Sequence, residues 1–245
     1  MRGVLERERP QVVFNCAAYN AVDAAESDPD GAFQVNARGP ELLAAECSRL
    51  GARLVHFSTN YVFDGSSGRP YREADDPNPQ SAYARSKREG ELAVLETGLV
   101  VRTAGVYGQV GSAVKGGSFP QRILARARSG QALRVVDDQR LNPTYARDLA
   151  AGAVALVESG AAGLVHLVAE GCCSWRDLAL ETLRLAALEV EVEAITTQAL
   201  GAAAPRPLNG CLESSRVSPL RPWRAALKAY WEAVQTRSAV ETQPM

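Results

Sequence analysis

A tyrosine and a lysine four residues apart, in the stretch Tyr83-Ala84-Arg85-Ser86-Lys87, are the first residues whose spacing suggests chemistry. On a helix that spacing sets both on one face, one turn apart. A free phenol titrates near 10 and is a poor acid–base group at neutral pH. An ammonium one turn away favours the phenolate and is expected to draw the Tyr83 pKa towards neutrality. A shift of about three units requires roughly 4 kcal/mol of differential stabilisation, within reach of a partly desolvated lysine. Thr59 closes an apolar run in Ser58-Thr59 and can offer its hydroxyl to the same substrate oxygen. The three groups together would protonate a carbonyl oxygen while a hydride reaches the carbon. A coincidental Tyr/Lys pair on a solvated helix face is the plain alternative.

Such side chains need a scaffold, and the periodicity predicts one. Short β-branched runs alternate with longer amphipathic stretches, the pattern of an α/β fold with a parallel sheet. Strands are predicted at Gln11–Cys16, Arg53–Ser58, Leu99–Thr103, Leu133–Val136 and Leu164–Val168. Helices are predicted at Pro29–Leu50, with Gly51 as C-cap, and at Ala82–Leu95, Ser118–Ser129, Ala146–Val157, Ser174–Leu188 and Pro222–Gln235. Several of the strands are uninterrupted apolar runs, as expected where helices cover both sheet faces. Ligands of such sheets bind at the carboxyl ends of the strands. That gives weight to Ala17-Ala18-Tyr19-Asn20, to Thr59-Asn60-Tyr61 and to Ala104-Gly105-Val106-Tyr107-Gly108.

Composition narrows the classes of function. The chain has 245 residues, 46% hydrophobic and 22% charged, with 27 Lys+Arg against 28 Asp+Glu. A net charge of −1 leaves no electrostatic footprint for nucleic acid or an anionic membrane. The longest apolar stretch, Ala151–Ala169, is interrupted by Glu158, Ser159 and His166, and the first ten residues mix charges without an apolar core. A cytoplasmic protein is expected. Five cysteines (Cys16, Cys47, Cys172, Cys173, Cys211) form no CxxC pair, and only His56 and His166 could join them as ligands. The expectation is buried, reduced thiols, no disulfide framework and no metal.

Beyond single residues, Ser58-Thr59-Asn60-Tyr61-Val62-Phe63-Asp64-Gly65, Pro70-Tyr71-Arg72-Glu73 and the Tyr83–Lys87 stretch resemble the dTDP-4-dehydrorhamnose reductases, which are extended short-chain dehydrogenase/reductases. Asn15-Cys16-Ala17-Ala18-Tyr19-Asn20-Ala21-Val22-Asp23 is similar to the family's preceding segment, and collinear matches run to about residue 235. The resemblance implies a Rossmann-like parallel sheet, N-terminally truncated, with a smaller C-terminal substrate-binding lobe. Residues 1–108 and 143–168 would form the first, 109–142 and 169–235 the second, and 236–245 a flexible tail. It implies reduction of the C4 ketone of a dTDP-6-deoxy-4-keto sugar by NADPH or NADH, giving dTDP-L-rhamnose, and a possible homodimer. By position, Tyr83 would be the proton donor, Lys87 would hold the nicotinamide ribose, and Thr59 would tune the acid and touch substrate. Ala17, Ala18, Tyr19 and Asn20 would contact the cofactor; Asn60 and Gly105 would face the sugar.

Some positions depart from the family. Asn60 replaces the usual Asp, and Ala104-Gly105 replaces a Ser-Trp whose indole lines the sugar site. Losing an aromatic wall is expected to leave room for a different or larger sugar. Leu141 stands where Gly is usual. The glycine-rich turn that normally holds the pyrophosphate is not found ahead of the first strand, so about 45 residues of a complete mononucleotide-binding half are expected to be missing, with the chain starting inside a helix. On that basis the polypeptide as given is expected to be unstable, self-associating or inactive. Gly105-Val106-Tyr107-Gly108-Gln109-Val110-Gly111 imitates a dinucleotide fingerprint, but Gly116-Gly117 would break the helix it requires, and it reads as a decoy. A non-catalytic relative that binds a partner, and a reductase or epimerase for another nucleotide sugar, remain alternatives. Arg206 could grip a diphosphate or lie exposed on a loop. Asp23, Glu26 and Trp175 read as structural or rim residues, and Arg221 and Arg224 as solvated charges.

Overall fold

The computed structural model describes residues 1–111 and 116–241. Its central sheet is parallel, in the order β1 (Val12–Asn15), β2 (Arg53–Thr59), β3 (Leu99–Thr103) and β6 (Gly163–His166). Helix α1 (Arg2–Glu8) precedes β1. Between β1 and β2 come the short helices α2 (Ala24–Ser27) and α3 (Pro29–Phe33), a π-helical turn at Gln34–Arg38, and α4 (Gly39–Leu50), which ends on left-handed Gly51. Helix α5 (Ala82–Val94) joins β2 to β3.

Alternation along the strands explains both layers. Leu54 and Val100 point into one cluster with Ala44, Cys47 and Val94 from α4 and α5. Their neighbours Val55, Leu99 and Val101 point to the other face, against Leu149 and Ala153 of α7 (Ala146–Glu158). A smaller unit packs α6 (Phe119–Arg128) and α8 (Trp175–Leu185) over β4 (Leu133–Val136) and its parallel partner β9 (Val192–Ile195), through Ile123, Leu133, Ala179 and Leu183. Short β5 (Arg140–Leu141) pairs with β8 (Cys173–Ser174), and β7 (Ala169–Glu170) with β10 (Leu220–Pro222). Helix α9 (Thr197–Leu200) precedes β10, and α10 (Trp223–Glu241) closes the described chain.

The periodicity located every long element to within a few residues, and several expectations need correction. Helix α10 runs past Gln235 to Glu241, where a flexible tail was expected, while 242–245 lie outside the described residues. Cys172 and Cys211 form a disulfide with Cα atoms 6.0 Å apart, and Cys16 is exposed. The fold brings residues 39 positions apart together, which spacing alone does not reveal. The cytoplasmic expectation loses the support it drew from reduced thiols. Arg221 and Arg224 are both exposed, as expected of solvated charges, Arg221 pairing with Asp148 and Arg224 lying 4.3 Å from the Trp223 ring. No helix among the described residues is long and apolar enough to cross a membrane.

Candidate active site

A cavity of about 800 Å³ opens at the carboxyl ends of β2 and β3, where a parallel sheet is expected to place its ligand. Thr59, Asn60, Tyr83 and Gly105 all line it, together with Asn20. The glycine-rich run after β3 forms part of the same wall, and the next described helix starts only at Phe119. The stretch that would continue from Gly111 as a helix, 112–115, lies outside the described residues.

Helix α5 is fixed at its start by two acceptors. The Ser81 hydroxyl accepts from Ala84 N at 3.1 Å, and the Glu26 carboxylate accepts from Ala82 N at 2.7 Å. The π-helical turn crosses so closely that a Cβ on Gly90 would lie 2.1 Å from Asn36 O; only glycine fits there. Further along, Glu91 accepts two 2.7 Å hydrogen bonds from Arg102 of β3, with both side chains almost wholly buried. Burial raises the Glu91 pKa, but Arg102 more than reverses this and holds it below the usual value. Helix and sheet are thereby locked in register beneath the cavity.

Tyr83 and Lys87 lie on this helix in unlike surroundings. The Tyr83 ring lines the cavity and meets Tyr61 edge-on, with centroids 5.8 Å apart. Its phenol is pushed up to about 12 by burial, opposed by a hydrogen bond with Thr59 and aided by Tyr61. This corrects the expectation that Lys87 draws it towards neutrality. The physical reason lies in where the amine goes. Lys87 is 2% exposed, and its Nζ donates to Phe57 O at 2.7 Å and lies 3.2 Å from His56 Nε2. Burial lowers the Lys87 pKa to about 8.

Thr59 ends β2 and caps the 3₁₀ turn Asn60–Val62, accepting from Tyr61 N at 3.2 Å. Asn60 lines the wall, yet its amide nitrogen donates to Gly210 O at 2.9 Å and clamps the 206–212 loop. Gly105 has φ +52°, and a Cβ there would come within 2.5 Å of Leu141 Cδ1. Leu141 therefore fills the space beside Gly105. This corrects the expectation of a simple vacancy in the wall, because the two departures from the family pattern compensate each other. Ala17 and Ala18 are exposed and outside the cavity wall, whereas Asn20 reaches it. Tyr19 is tied through its backbone N–H and C=O to Asn36, at 2.8 and 3.0 Å.

Arg206 neither lies exposed nor enters the cavity; it pairs with Asp23 at 2.6 Å. Trp175 packs on Phe119, donates to Gln139 Oε1 at 3.2 Å and also lines the cavity. Sequence reasoning missed Asn15, Asn36 and His56, all buried polar groups. A histidine inside an apolar strand was their one legible signal. Also unremarked were Arg122 and Arg147, exposed on the cavity wall. Thr103 and Tyr107 belong to that wall too, and their buried hydroxyls have no hydrogen-bond partner among the described residues.

The chain matches the family model described as RmlD substrate binding domain over residues 1–236. It is 42% identical to a dTDP-4-dehydrorhamnose reductase of Streptomyces griseus, over 97% of this chain and 82% of that protein. It is also 42% identical to a probable dTDP-4,6-dihydroxy-2-methyloxan-3-one 4-ketoreductase of Streptomyces antibioticus, over 93% and 79%. The crystal structure of a Bacillus anthracis dTDP-4-dehydrorhamnose reductase in complex with NADP superposes with a TM-score of 0.89 at 31% identity, covering 95% of this chain and 84% of that one. The chain belongs to the dTDP-4-dehydrorhamnose reductase family.

Proposed function

We propose that this chain reduces the C4 ketone of a dTDP-6-deoxy-4-keto sugar, with NADPH or NADH as reductant and dTDP-L-rhamnose as product. One observation carries the reading: Tyr83 and Thr59 stand together on the wall of the cavity at the strand ends. The family's reductases supply the substrate class. A polar ligand suits the site, because Asn20, Arg122 and Arg147 stand on the cavity wall, and Ala17 and Ala18 are exposed just after β1. Ala17, Ala18, Tyr19, Asn20 and Lys87 would hold the dinucleotide, which supplies the hydride when bound. The division into a Rossmann-like part (1–108, 143–168) and a substrate lobe (109–142, 169–235) belongs to the same proposal.

The proton is the protein's task. A phenol at about 12 keeps its proton throughout the physiological range, so Tyr83 is loaded as an acid. The oxygen of a ketone receiving a hydride becomes an alkoxide, more basic than a phenolate, and takes that proton. Thr59 holds the phenol and would accept or donate a second hydrogen bond at the same oxygen. Asn60 acts by keeping the 206–212 loop closed on the cavity, and Gly105 with Leu141 shapes the sugar wall. That compensated wall also favours a second reading, reduction of a different dTDP-keto sugar.

The test is NADPH oxidation, by this chain alone and by this chain preceded by a glycine-rich strand–turn–helix segment, on adding a dTDP-4-keto-6-deoxy sugar, with the product identified by NMR. One equivalent of alcohol per NADPH is expected from the extended protein. A protein that binds NADPH but reduces none of these ketones contradicts the proposal.

A further inference from the structure

Beneath Lys87 lies a hydrogen-bond chain that the reaction above does not use. It begins at the backbone N–H of Ala17, which donates to Asn15 Oδ1 at 3.2 Å. That contact orients the amide, so the other end, Asn15 Nδ2, faces His56 Nδ1 at 3.0 Å. His56 Nε2 in turn lies 3.2 Å from Lys87 Nζ, and the same Nζ donates to Phe57 O at 2.7 Å. Asn15, His56 and Lys87 are 6%, 0% and 2% exposed, so solvent has little access to supply a missing partner.

Counting donors and acceptors along this chain settles who carries which proton. Burial and the neighbouring lysine lower the His56 pKa to about 3, so the ring is neutral and bears one N–H. An amide nitrogen only donates, so His56 Nδ1 must accept and the hydrogen sits on Nε2. That N–H points at Lys87. An ammonium has no lone pair with which to accept it, whereas a neutral amine does, and still has a hydrogen for Phe57 O.

We infer that Asn15 and His56 are positioning residues that bias Lys87 towards its neutral form, by presenting it with an imidazole N–H instead of a lone pair. The charged groups near the amine do not undo this bias. Glu91, one turn along α5, favours the ammonium, but its carboxylate is already bonded by Arg102 of β3 and by Arg88. Tyr83, one turn back, is an uncharged phenol, and β1 brings only the Asn15 amide.

The consequence for catalysis rests on the proposed function. Once Tyr83 has given its proton to the product oxygen, the phenolate must be reloaded. Lys87 Nζ is bonded to Phe57 O and His56 and not to Tyr83, so a Lys87 ammonium of lowered pKa supplies that proton through a bound hydroxyl or water, and the amine left behind accepts the His56 Nε2–H. Protonating Lys87 again sets donor against donor, unless the ring changes tautomer and the Asn15 amide turns. Turning the amide would break its bond from Ala17, so the proton on Lys87 is coupled to the start of the 17–20 loop.

The test needs neither cofactor nor substrate. With only two histidines in the chain, the ring nitrogens of His56 and His166 are separately resolvable by 15N NMR, and His56→Gln assigns them. The native protein is expected to show His56 as the Nε2–H tautomer at pH 9, with its shift tracking a Lys87 titration near pH 8. In Asn15→Asp the carboxylate can accept from both Ala17 N–H and His56 Nδ1–H. The tautomer is then expected to invert and the Lys87 midpoint to rise by at least one pH unit. An Nδ1–H tautomer in the native protein overturns the inference, as does an unchanged tautomer and midpoint in folded Asn15→Asp. If Asn15→Asp does not fold, the native tautomer alone decides. Failure of ketone reduction would leave this measurement untouched, so the two readings fail separately.

Discussion

Tyr83 and Lys87 share one face of one helix, yet they occupy opposite environments. Around Tyr83 the protein leaves space: the ring borders the cavity, and Tyr61 touches it edge-on. Around Lys87 each polar neighbour has an assigned bond, from Phe57 O through His56 and Asn15 to Ala17. The open half is arranged to receive a ligand and the closed half to set a proton. The i, i+4 spacing specifies the shared face of the helix, but what each polar end meets depends on the strand beneath it.

Breaking the floor is expected to have the largest effect. Arg102→Ala takes the buried partner from Glu91 and leaves it only the part-exposed Arg88, at a cost of about 3–5 kcal/mol in urea unfolding. Glu91→Gln leaves the buried Arg102 guanidinium without its counter-charge and is expected to cost a similar amount. Little loss from Glu91→Gln would mean that charge is not what holds α5 to β3.

Lys87→Met separates the two halves. Turnover is expected to fall by about 10²-fold or more, while Tyr83 and the cavity wall stay in place. Turnover within a factor of two of native would remove the amine from the reaction.

On the open side, Gly105→Ala puts a Cβ against Leu141 at a left-handed backbone position, and destabilisation of about 1–3 kcal/mol is expected. Leu141→Ala in the same chain should recover the steric part of that cost. Additive losses in a double-mutant cycle would show that the two positions do not compensate.

The smallest effect is a difference in pH windows. His56 has a folded pKa depressed from 6.5 to about 3, so the unfolded chain binds the additional proton between those values, and stability falls as pH drops from 6.5 towards 3. Glu73, depressed from 4.5 to about 2 by hydrogen bonds from Ser214, Ser215 and His166, loses its contribution only as pH falls from 4.5 towards 2. His56→Gln should flatten the slope of unfolding free energy between pH 6.5 and about 3 and leave the slope below pH 3, where only Glu73 of the two still titrates, intact. An unaltered slope above pH 5 would contradict a buried neutral imidazole.

Sequence patterns carried the scaffold further than the site. Leu99–Thr103 coincides with β3 because its start is a continuous apolar run, and Leu133–Val136 with β4 although Arg134 is exposed, its Leu and Val side chains supplying the buried face. Two-residue strands such as β5 and β8 have no pattern to show, being held by partners far along the chain. Thr59, Asn60 and Gly105 were legible because residues following strands line a parallel sheet's cavity, and Tyr83 because of its helical spacing from Lys87. The His56–Asn15 chain was not, since nothing in an apolar run says which buried polar groups meet across adjacent strands. Nor could the mutual fit of Gly105 and Leu141 be read from either residue alone; each looked like a separate departure.

The central claim is that Tyr83 delivers the proton to the reduced ketone, and Tyr83→Phe tests it most directly. The ring and its packing on Tyr61 are kept and only the hydroxyl is lost. The account predicts unchanged NADPH binding with kcat for dTDP-4-keto sugar reduction lowered by about 10²–10⁴-fold. Native turnover in a folded Tyr83→Phe protein would contradict it.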